Sequence, residues 1–295
     1  MGSPALGGRS DLTPRPLGRA FPESPRAGGR GWCEVNETGR RWLTAIGLVP
    51  VIICIVLLLP SAAFHATLLL VVAGGAWEWS RLTGLSPIPL HAAVAAGSLG
   101  LVLIAGAVPG AGFAWVGVAW WLAAFAAVVR FRGPARCPPR PALAIAGWLV
   151  LVPAGAALAE VHAGPDGPAL AMTLLAVVWA ADTGAWFTGR RYGRTPLAPR
   201  ISPGKTWEGV AGGLAAATAT GAAAAWWLGL SWGDLLPAVV LASGASVVGD
   251  LYESMAKRRA GVKDSGRLLP GHGGILDRID GLTAAAPVFA VVMAG

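Results

Sequence analysis

Apolar segments of membrane-spanning dimensions recur along this chain. A transmembrane helix needs about 20 predominantly apolar residues. Segments that approach this length cover 42–59, a second one to residue 79, 88–108, 112–129, 142–159, 169–187, 210–230, 235–248 and 282 to the end. The pattern predicts an all-α polytopic membrane protein with about nine transmembrane helices.

The scarcity of charge excludes a soluble globular protein. Charged residues make up 13% of the chain and hydrophobic residues 55%. A soluble domain usually carries about 25% charged residues, so this chain has too few to cover a water-exposed surface. The same composition excludes intrinsic disorder for the bulk of the chain.

The positions of the basic residues predict the orientation in the membrane. All 23 Lys and Arg residues fall before the first span or in alternate connections between spans. The remaining connections contain none, so nine spans place every cation on one face of the membrane. The positive-inside rule makes that face cytoplasmic, with the N-terminus inside. We expect the cytoplasmic (inner) cell membrane as the location.

Three regions follow from this pattern. Residues 1–40 are rich in Gly, Pro, Ser and Arg and are expected to form a disordered cytoplasmic tail. Residues 41–165 contain the N-terminal spans, and 166–295 the C-terminal spans with the polar connections. No nucleic-acid recognition module is recognisable, so the net charge of +8 is explained by topology and nucleic acid is not an expected partner.

Two short polar stretches interrupt the C-terminal half. Asp182 lies inside an apolar span, where a charge costs about 3 kcal/mol, so it should face a polar cavity or a partner. The alternative for Asp182 is a structural pair with an Arg. Lys205 precedes the seventh span, and a Lys at a helix entry can hold a phosphate. The alternative for Lys205 is a loop cation that extends to the membrane surface.

The third polar stretch, between the eighth and ninth spans, is the densest. Asp250, Ser254 and Lys257 recur at helical spacing, which places them on one face of a helix. Asp277 and Asp280, three apart, share a face if their segment is helical. The other polar and glycine residues of the stretch are Arg258, Lys263, Asp264, His272, Gly273, Gly274 and Arg278.

Carboxylates beside cations and a glycine-rich turn suit phosphoryl or nucleotidyl transfer. Phosphates need cations and backbone N–H groups, whereas divalent metals need carboxylate oxygens. The metal joins the two in phosphoryl transfer. The alternative is a solvated loop of mutually satisfied ion pairs, but such a loop does not need four glycines and a His.

The third stretch resembles the signature of the phosphatidate cytidylyltransferase (CDP-diacylglycerol synthase) family. The resemblance rests on Ser254, Lys257-Arg258, Lys263-Asp264, His272-Gly273-Gly274 and Asp277-Arg278-Ile279-Asp280 at matching spacing. Ala256 departs from the pattern, where a larger apolar residue is usual. The likeness covers roughly residues 175–290.

The resemblance implies that CTP and phosphatidate react to give CDP-diacylglycerol and pyrophosphate, with Mg²⁺ as cofactor and K⁺ as a candidate second ion. By matching position, Asp250 and Asp277 are the implied metal ligands, with Asp280 and Ser254 beside them. Lys257 and Arg258 complete the implied catalytic set, and Lys205 and Lys263 supply charge for phosphates. The remaining substrate-binding candidates are Asp182, Asp264, His272, Gly273, Gly274 and Arg278.

Other functions remain open from the sequence alone. A related enzyme could use CTP on another lipid phosphate, because acceptor choice depends on how the spans pack. From a different class, an ion-coupled transporter would give Asp182 and Asp250 a role, although it predicts internal repeats that the sequence lacks. Membrane lipids are expected neighbours, and a homodimer is left open as the oligomeric state.

Overall fold

The computed structural model describes residues 47–84, 88–107, 112–131, 133, 140–266 and 273–295. These residues form nine helices and one two-stranded hairpin. The helices are α1 (Gly47–Leu58), α2 (Ser61–Leu82), α3 (Ile88–Ala107), α4 (Gly112–Val129), α5 (Arg140–Ala163), α6 (Gly167–Tyr192), α7 (Trp207–Leu228), α8 (Trp232–Ala260) and α9 (Leu276–Ala294). Strands β1 (Pro196–Ala198) and β2 (Ser202–Thr206) lie between α6 and α7.

Helix α5 lies at the centre of the bundle. It packs against α2, α3, α4, α6 and α9, while α6 pairs with α7 and α8 pairs with α9. In an apolar 18-residue stretch of α5, 72% of the residues are buried, compared with 28% in the corresponding stretches of α2 and α4. Because the outer helices expose large apolar side chains such as Leu58 and Trp227, the bundle presents an apolar surface suited to lipid.

Small residues let α6 and α7 approach backbone to backbone. A Cβ at Gly213 would lie 2.7 Å from the carbonyl oxygen of Ala181, and one at Gly184 would lie 2.8 Å from that of Gly212. Contact this close is typical of membrane helices, which associate by packing small residues rather than by excluding water. The close pairing of α6 with α7 fixes the position of α6, which includes the polar residue Asp182.

The hairpin corrects the expectation of a purely α-helical chain. Strands β1 and β2 pair antiparallel, with Pro196 opposite Thr206 and Ala198 opposite Ser202. Thr206 then caps α7, because its Oγ1 accepts a hydrogen bond from the backbone N–H of Gly209 at 3.1 Å. Short strands without apolar alternation leave no sequence pattern, so the hairpin could not be read from hydropathy.

Two helices extend well beyond the predicted spans. The eighth span was expected to end at residue 248, but α8 continues to Ala260 and is closed by Gly261 with φ of 70°. Basic residues in its last turn, Lys257, Arg258 and Arg259, interact favourably with the helix dipole. Helix α9 begins at Leu276, six residues before the expected start, so Asp277 and Asp280 do lie on one helix.

Five of the described helices are long and apolar enough to cross a membrane, namely α2, α4, α5, α6 and α8. The protein is therefore a multi-span membrane protein, and its described residues are helical apart from the hairpin and the connections. The count of about nine spans and the cytoplasmic position of the N-terminus stay predictions. The expected tail over residues 1–40 lies outside the described residues.

Candidate active site

Residues far apart in sequence meet at one end of the bundle. Near the end of α2, Trp79 donates its Nε1–H to the carbonyl of Leu143 at the start of α5, at 2.7 Å. The same ring stacks on Tyr252 of α8, with ring centroids 6.1 Å apart. The end of α2, the start of α5, the end of α8 and the start of α9 therefore share one end, where the charged residues also gather.

The first group of charged residues faces a cavity and is called the cavity cluster: Asp182 of α6, Lys205 of β2 and Asp250 of α8. The Lys205 ammonium forms an ion pair with Oδ2 of Asp250. Both side chains remain partly exposed, at 27% and 29%. Ser254, one turn further along α8, donates its Oγ–H to Oδ1 of Asp250 at 3.3 Å. The cluster thus presents a cation and carboxylates that a ligand can still reach.

The cavity itself has a volume of about 330 Å³ and lies between α6, α7, α8 and the hairpin. It is lined by the cavity cluster with Ser243, Ser246 and Thr206, and the rest of its lining is largely apolar, including Trp186 and Leu214. A cavity with a cluster of charged side chains and largely apolar walls suits an amphipathic ligand with a polar headgroup.

The second group surrounds Asp277 and is called the connection cluster: Lys257, Ser265, Gly274 and Asp277. Lys257 Nζ lies 2.8 Å from Oδ1 of Asp277. The backbone N–H of Ser265 donates to both carboxylate oxygens, at 3.2 and 3.0 Å, and that of Gly274 donates to Oδ2 at 2.8 Å. Asp277 therefore holds both ends of the connection between α8 and α9.

Further acids link the two clusters. Glu253 of α8 is only 3% exposed, and its Oε1 lies 3.3 Å from Lys257 Nζ, so this Lys pairs with two carboxylates. Asp280 lies within electrostatic range of both Asp250 and Glu253, and its backbone carbonyl packs against Gly249. Asp280 is thus positioned between the cavity cluster and the connection cluster.

The hairpin that carries Lys205 is held at two points. Arg258 of α8 donates its Nε–H to the carbonyl of Ile201 at 3.2 Å. Glu208, in the first turn of α7 before the apolar segment, accepts from the backbone N–H groups of Arg194 and Thr195 at 3.1 and 3.2 Å. The hydrogen bond from its own backbone N–H, followed by those from Arg194 and Thr195, lowers the pKa of Glu208 to about 2, so it stays ionised at neutral pH.

Gly273 adopts a conformation that side chains rarely reach. Its φ is 81°, and a Cβ there would lie 2.6 Å from Oδ2 of Asp277. Only glycine meets both demands, which explains one glycine of the His-Gly-Gly motif. Gly274 is needed for a different reason, because a Cβ there would collide with Glu78 and Ser265.

The remaining predicted residues divide into exposed and undescribed ones. Lys263, Asp264, Arg258 and Arg278 are exposed at this end of the bundle. The three cations among them, Lys263, Arg258 and Arg278, are on a surface that a soluble anionic substrate can reach. His272 lies outside the described residues, so its expected part in substrate binding stays a prediction.

Sequence reasoning missed Glu78 and Ser265. Glu78 lies in α2, is 4% exposed, and accepts hydrogen bonds from Ser265 Oγ and from the backbone N–H of Leu276, each at 3.0 Å. The signal was available, because an acid inside an apolar span is the same feature that drew attention to Asp182. Ser265 carried no signal, since its partner is 187 positions away.

The donor chemistry fits a divalent cation better at one cluster than at the other. No three Asp, Glu, His or Cys side chains among the described residues come together as a group that could hold a metal ion. Mg²⁺ usually takes only one or two carboxylates and completes its shell with water and substrate phosphates. Asp250 fits this role better because it lines the cavity and is 29% exposed, and its oxygens contact two side chains, Lys205 and Ser254, but no backbone donor. Both oxygens of Asp277 are occupied by Lys257 and two backbone donors.

An apolar helical bundle with a cavity lined by acidic and basic side chains defines a membrane-embedded protein with a polar site at one end of its helices. The model of the cytidylyltransferase family matches residues 39–294, which is most of the chain. This protein belongs to that family.

Several bacterial proteins that are similar in sequence to this chain are phosphatidate cytidylyltransferases. A phosphatidate cytidylyltransferase of Pseudomonas aeruginosa is 41% identical over 265 residues, which cover 86% of this chain and 96% of that protein. One from Haemophilus influenzae is 34% identical, with 85% of this chain and 96% of the relative covered. One from Brucella suis reaches 53% identity over 123 residues, 41% of this chain and 46% of that protein.

Proposed function

We propose that this protein transfers the cytidylyl group of CTP to phosphatidate, giving CDP-diacylglycerol and pyrophosphate. The observation that supports this most strongly is the cavity cluster, in which Lys205 and Asp250 are charged residues in the lining of a largely apolar cavity. Family membership and the names of the similar proteins supply the reaction.

The reaction needs a site that suppresses the repulsion between two anions. A phosphate oxygen of phosphatidate attacks the α-phosphorus of CTP, the new P–O bond forms, and the bond to the β-phosphate oxygen breaks, so pyrophosphate leaves. The attacking phosphate is already ionised at neutral pH, and no general base is required. The work of the protein is therefore to position two anionic groups and to neutralise their charge.

Lys205 is the residue best placed to receive a phosphate in the cavity. Its ammonium is partly exposed there and is held on the hairpin by the cap of α7 and by Arg258. Arg258, which contacts the same hairpin, and the exposed Lys263 would add positive charge for the phosphates, and Lys257 would do so only in exchange for its ion pairs with Asp277 and Glu253. The apolar walls would accommodate the part of the lipid next to its headgroup.

Asp250 would hold a Mg²⁺ ion together with substrate phosphates, and the ion would neutralise charge on the triphosphate. Asp277, the other implied ligand, would reach a metal only by exchanging its hydrogen bonds to Ser265 and Gly274. In the arrangement described, Asp277 orders the connection between α8 and α9. A K⁺ ion in the site stays an expectation.

The location and assembly are proposed on the same basis. The positive-inside rule puts the cation-bearing end, and with it the cavity, on the cytoplasmic side of the inner membrane. Water-soluble CTP then reaches the site from the cytoplasm while the lipid stays in the bilayer. A homodimer is an expectation that mass measurement in detergent would test.

The decisive experiment uses purified protein in detergent with labelled CTP, phosphatidate and Mg²⁺, with and without chelator. We expect a labelled CDP-lipid that disappears when EDTA is added. Product from a polyprenyl or archaeal-type lipid phosphate, and none from phosphatidate, would keep the chemistry and change the substrate. No product from any acceptor, with protein that is folded and monodisperse, would contradict the proposal.

A further inference from the structure

Glu78 is a buried acid that the proposed reaction does not use. It lies in α2, outside the signature segment, and is 4% exposed among apolar residues of the bundle. A buried carboxylate is strongly unfavourable unless hydrogen bonds compensate it. Its partners therefore indicate what the residue does.

The partners of Glu78 come from the connection between α8 and α9. Oε2 accepts the Oγ–H of Ser265 and the backbone N–H of Leu276, both at 3.0 Å. Leu276 is the first residue of α9, and the preceding Ile275 makes no side-chain cap hydrogen bond. Glu78 of α2 thus acts as the N-cap that α9 lacks in its own sequence. The dipole of α9 also favours a negative charge at this N-terminus.

Two glycines close around the same carboxylate. A Cβ at Gly266 would collide with Oε1 of Glu78, and a Cβ at Gly274 would collide with Oε2. The two glycines lie on either side of the stretch 267–272. The connection is therefore shaped to wrap Glu78 at both of its described ends.

The contacts place Glu78 next to the connection cluster, on the side of α2. Ser265 directs its side chain to Glu78 and its backbone N–H to Asp277, and Gly274 likewise lies between the two acids. The connection is held from one side by α2 and from the other by the first turn of α9. A change at Glu78 is transmitted to Asp277 and Lys257 through this shared backbone.

We infer that Glu78 is a positioning residue for the transfer reaction, which fixes the connection between α8 and α9 so that Asp277 and Lys257 keep their places. The predicted effect of Glu78 on catalysis rests on the proposed function. The predicted effect of Glu78 on the structure of the connection does not, and it can be measured separately.

The activity test compares Glu78→Ala, Glu78→Gln and Glu78→Asp with wild-type protein in detergent. Because Glu78 touches neither the cavity nor its charged residues, kcat should fall by about 10- to 100-fold in Glu78→Ala while the KM for CTP changes by less than about threefold. Glu78→Gln keeps a carbonyl acceptor and should recover part of kcat. The matched control is Glu160→Ala, an exposed acid at the other end of α5.

Coupling to Ser265 separates positioning from a general loss of structure. Ser265→Ala removes one donor to Glu78 with a small change in volume, so it should fold where Glu78→Ala does not. The losses of kcat in Ser265→Ala and Glu78→Gln should combine to clearly less than their product, because Ser265→Ala removes the hydrogen bond that Glu78→Gln weakens by replacing a charged acceptor with a neutral one. Losses that multiply fully would overturn the inference.

Hydrogen exchange supplies the readout that needs no activity. The backbone amides in peptides covering 262–266 and 273–279 should exchange about tenfold faster in Glu78→Ala than in wild type. Their exchange rates in Glu160→Ala should equal those of wild type. Unchanged exchange, or faster exchange with wild-type kcat, would contradict the inference. If the wild-type protein has no transfer activity, the proposed function is overturned. Hydrogen exchange in Glu78→Ala would still show whether Glu78 holds the connection.

Discussion

Lys257 Nζ lies 2.8 Å from Oδ1 of Asp277, and this ion pair joins the last turns of α8 to the first turn of α9. The pair is 13% and 10% exposed, so it is largely shielded from water. The same Lys lies 3.3 Å from Oε1 of Glu253. One cation thereby compensates two buried acids, which makes the junction sensitive to the loss of any member.

Asp277→Asn should abolish transfer while leaving membrane insertion intact. Asn presents one N–H₂ group where Asp277 accepts from Lys257, Ser265 and Gly274, so at least one buried donor loses its acceptor. The cost in stability should be about 1–3 kcal/mol. Activity and thermal unfolding in detergent would be measured beside Asp234→Asn, an exposed acid at the start of α8. Wild-type turnover would remove Asp277 from the catalytic set.

Lys205→Ala should raise the KM for the anionic substrates and lower kcat/KM by about 100-fold, since hydrogen bonds to charged groups are worth about 1.5–3 kcal/mol. The reason is that this ammonium is the charged group of β2 that lines the cavity. Arg200→Ala, an exposed cation in the same hairpin, is the matched control. Equal losses in both variants would point to a general effect of surface charge.

Asp250→Asn should raise the Mg²⁺ concentration needed for the half-maximal rate by about 10-fold or more, because the remaining cavity oxygens bind the cation less well. A titration with Mg²⁺ at saturating CTP measures this shift. Asp234→Asn serves again as the control. An unchanged Mg²⁺ requirement with reduced kcat would assign Asp250 to holding Lys205 rather than a metal.

Gly213→Ala should destabilise the fold, because the added Cβ would lie 2.7 Å from the carbonyl oxygen of Ala181 and force α6 and α7 apart. Overpacking of this kind costs about 1–3 kcal/mol. Gly100→Ala is the control, since nothing lies within 4 Å of a Cβ there. Thermal unfolding in detergent should show a lower Tm for the first variant and an equal or higher Tm for the second.

The membrane class, many helix bounds and the residues of the signature were readable from the sequence. The fourth span, 112–129, coincides with α4 (Gly112–Val129), because hydropathy decides where an isolated helix enters and leaves lipid. The spacing of Asp250, Ser254 and Lys257 correctly indicated a helix, since side-chain direction in a helix follows from local geometry alone.

Other features required the tertiary structure. Past the apolar part of α8, Lys257 pairs with Glu253 one turn earlier and with Asp277 of α9. The spacing within residues 249–260 reveals Glu253, but nothing local to that segment reveals Asp277. The signature reads as one continuous motif, yet folding divides it between a cavity beside Lys205 and a connection that wraps Glu78.

The sequence by itself therefore determined the class of protein, its family and the kinds of side chain available for phosphate and metal chemistry. These depend on composition and on spacing along the chain, which act within a few residues. Only the tertiary structure decided which acid faces the cavity, which acid orders the backbone, and that an acid in α2 is the partner of α9. Those outcomes depend on contacts between residues up to 198 positions apart, where the packing of small side chains sets the distances.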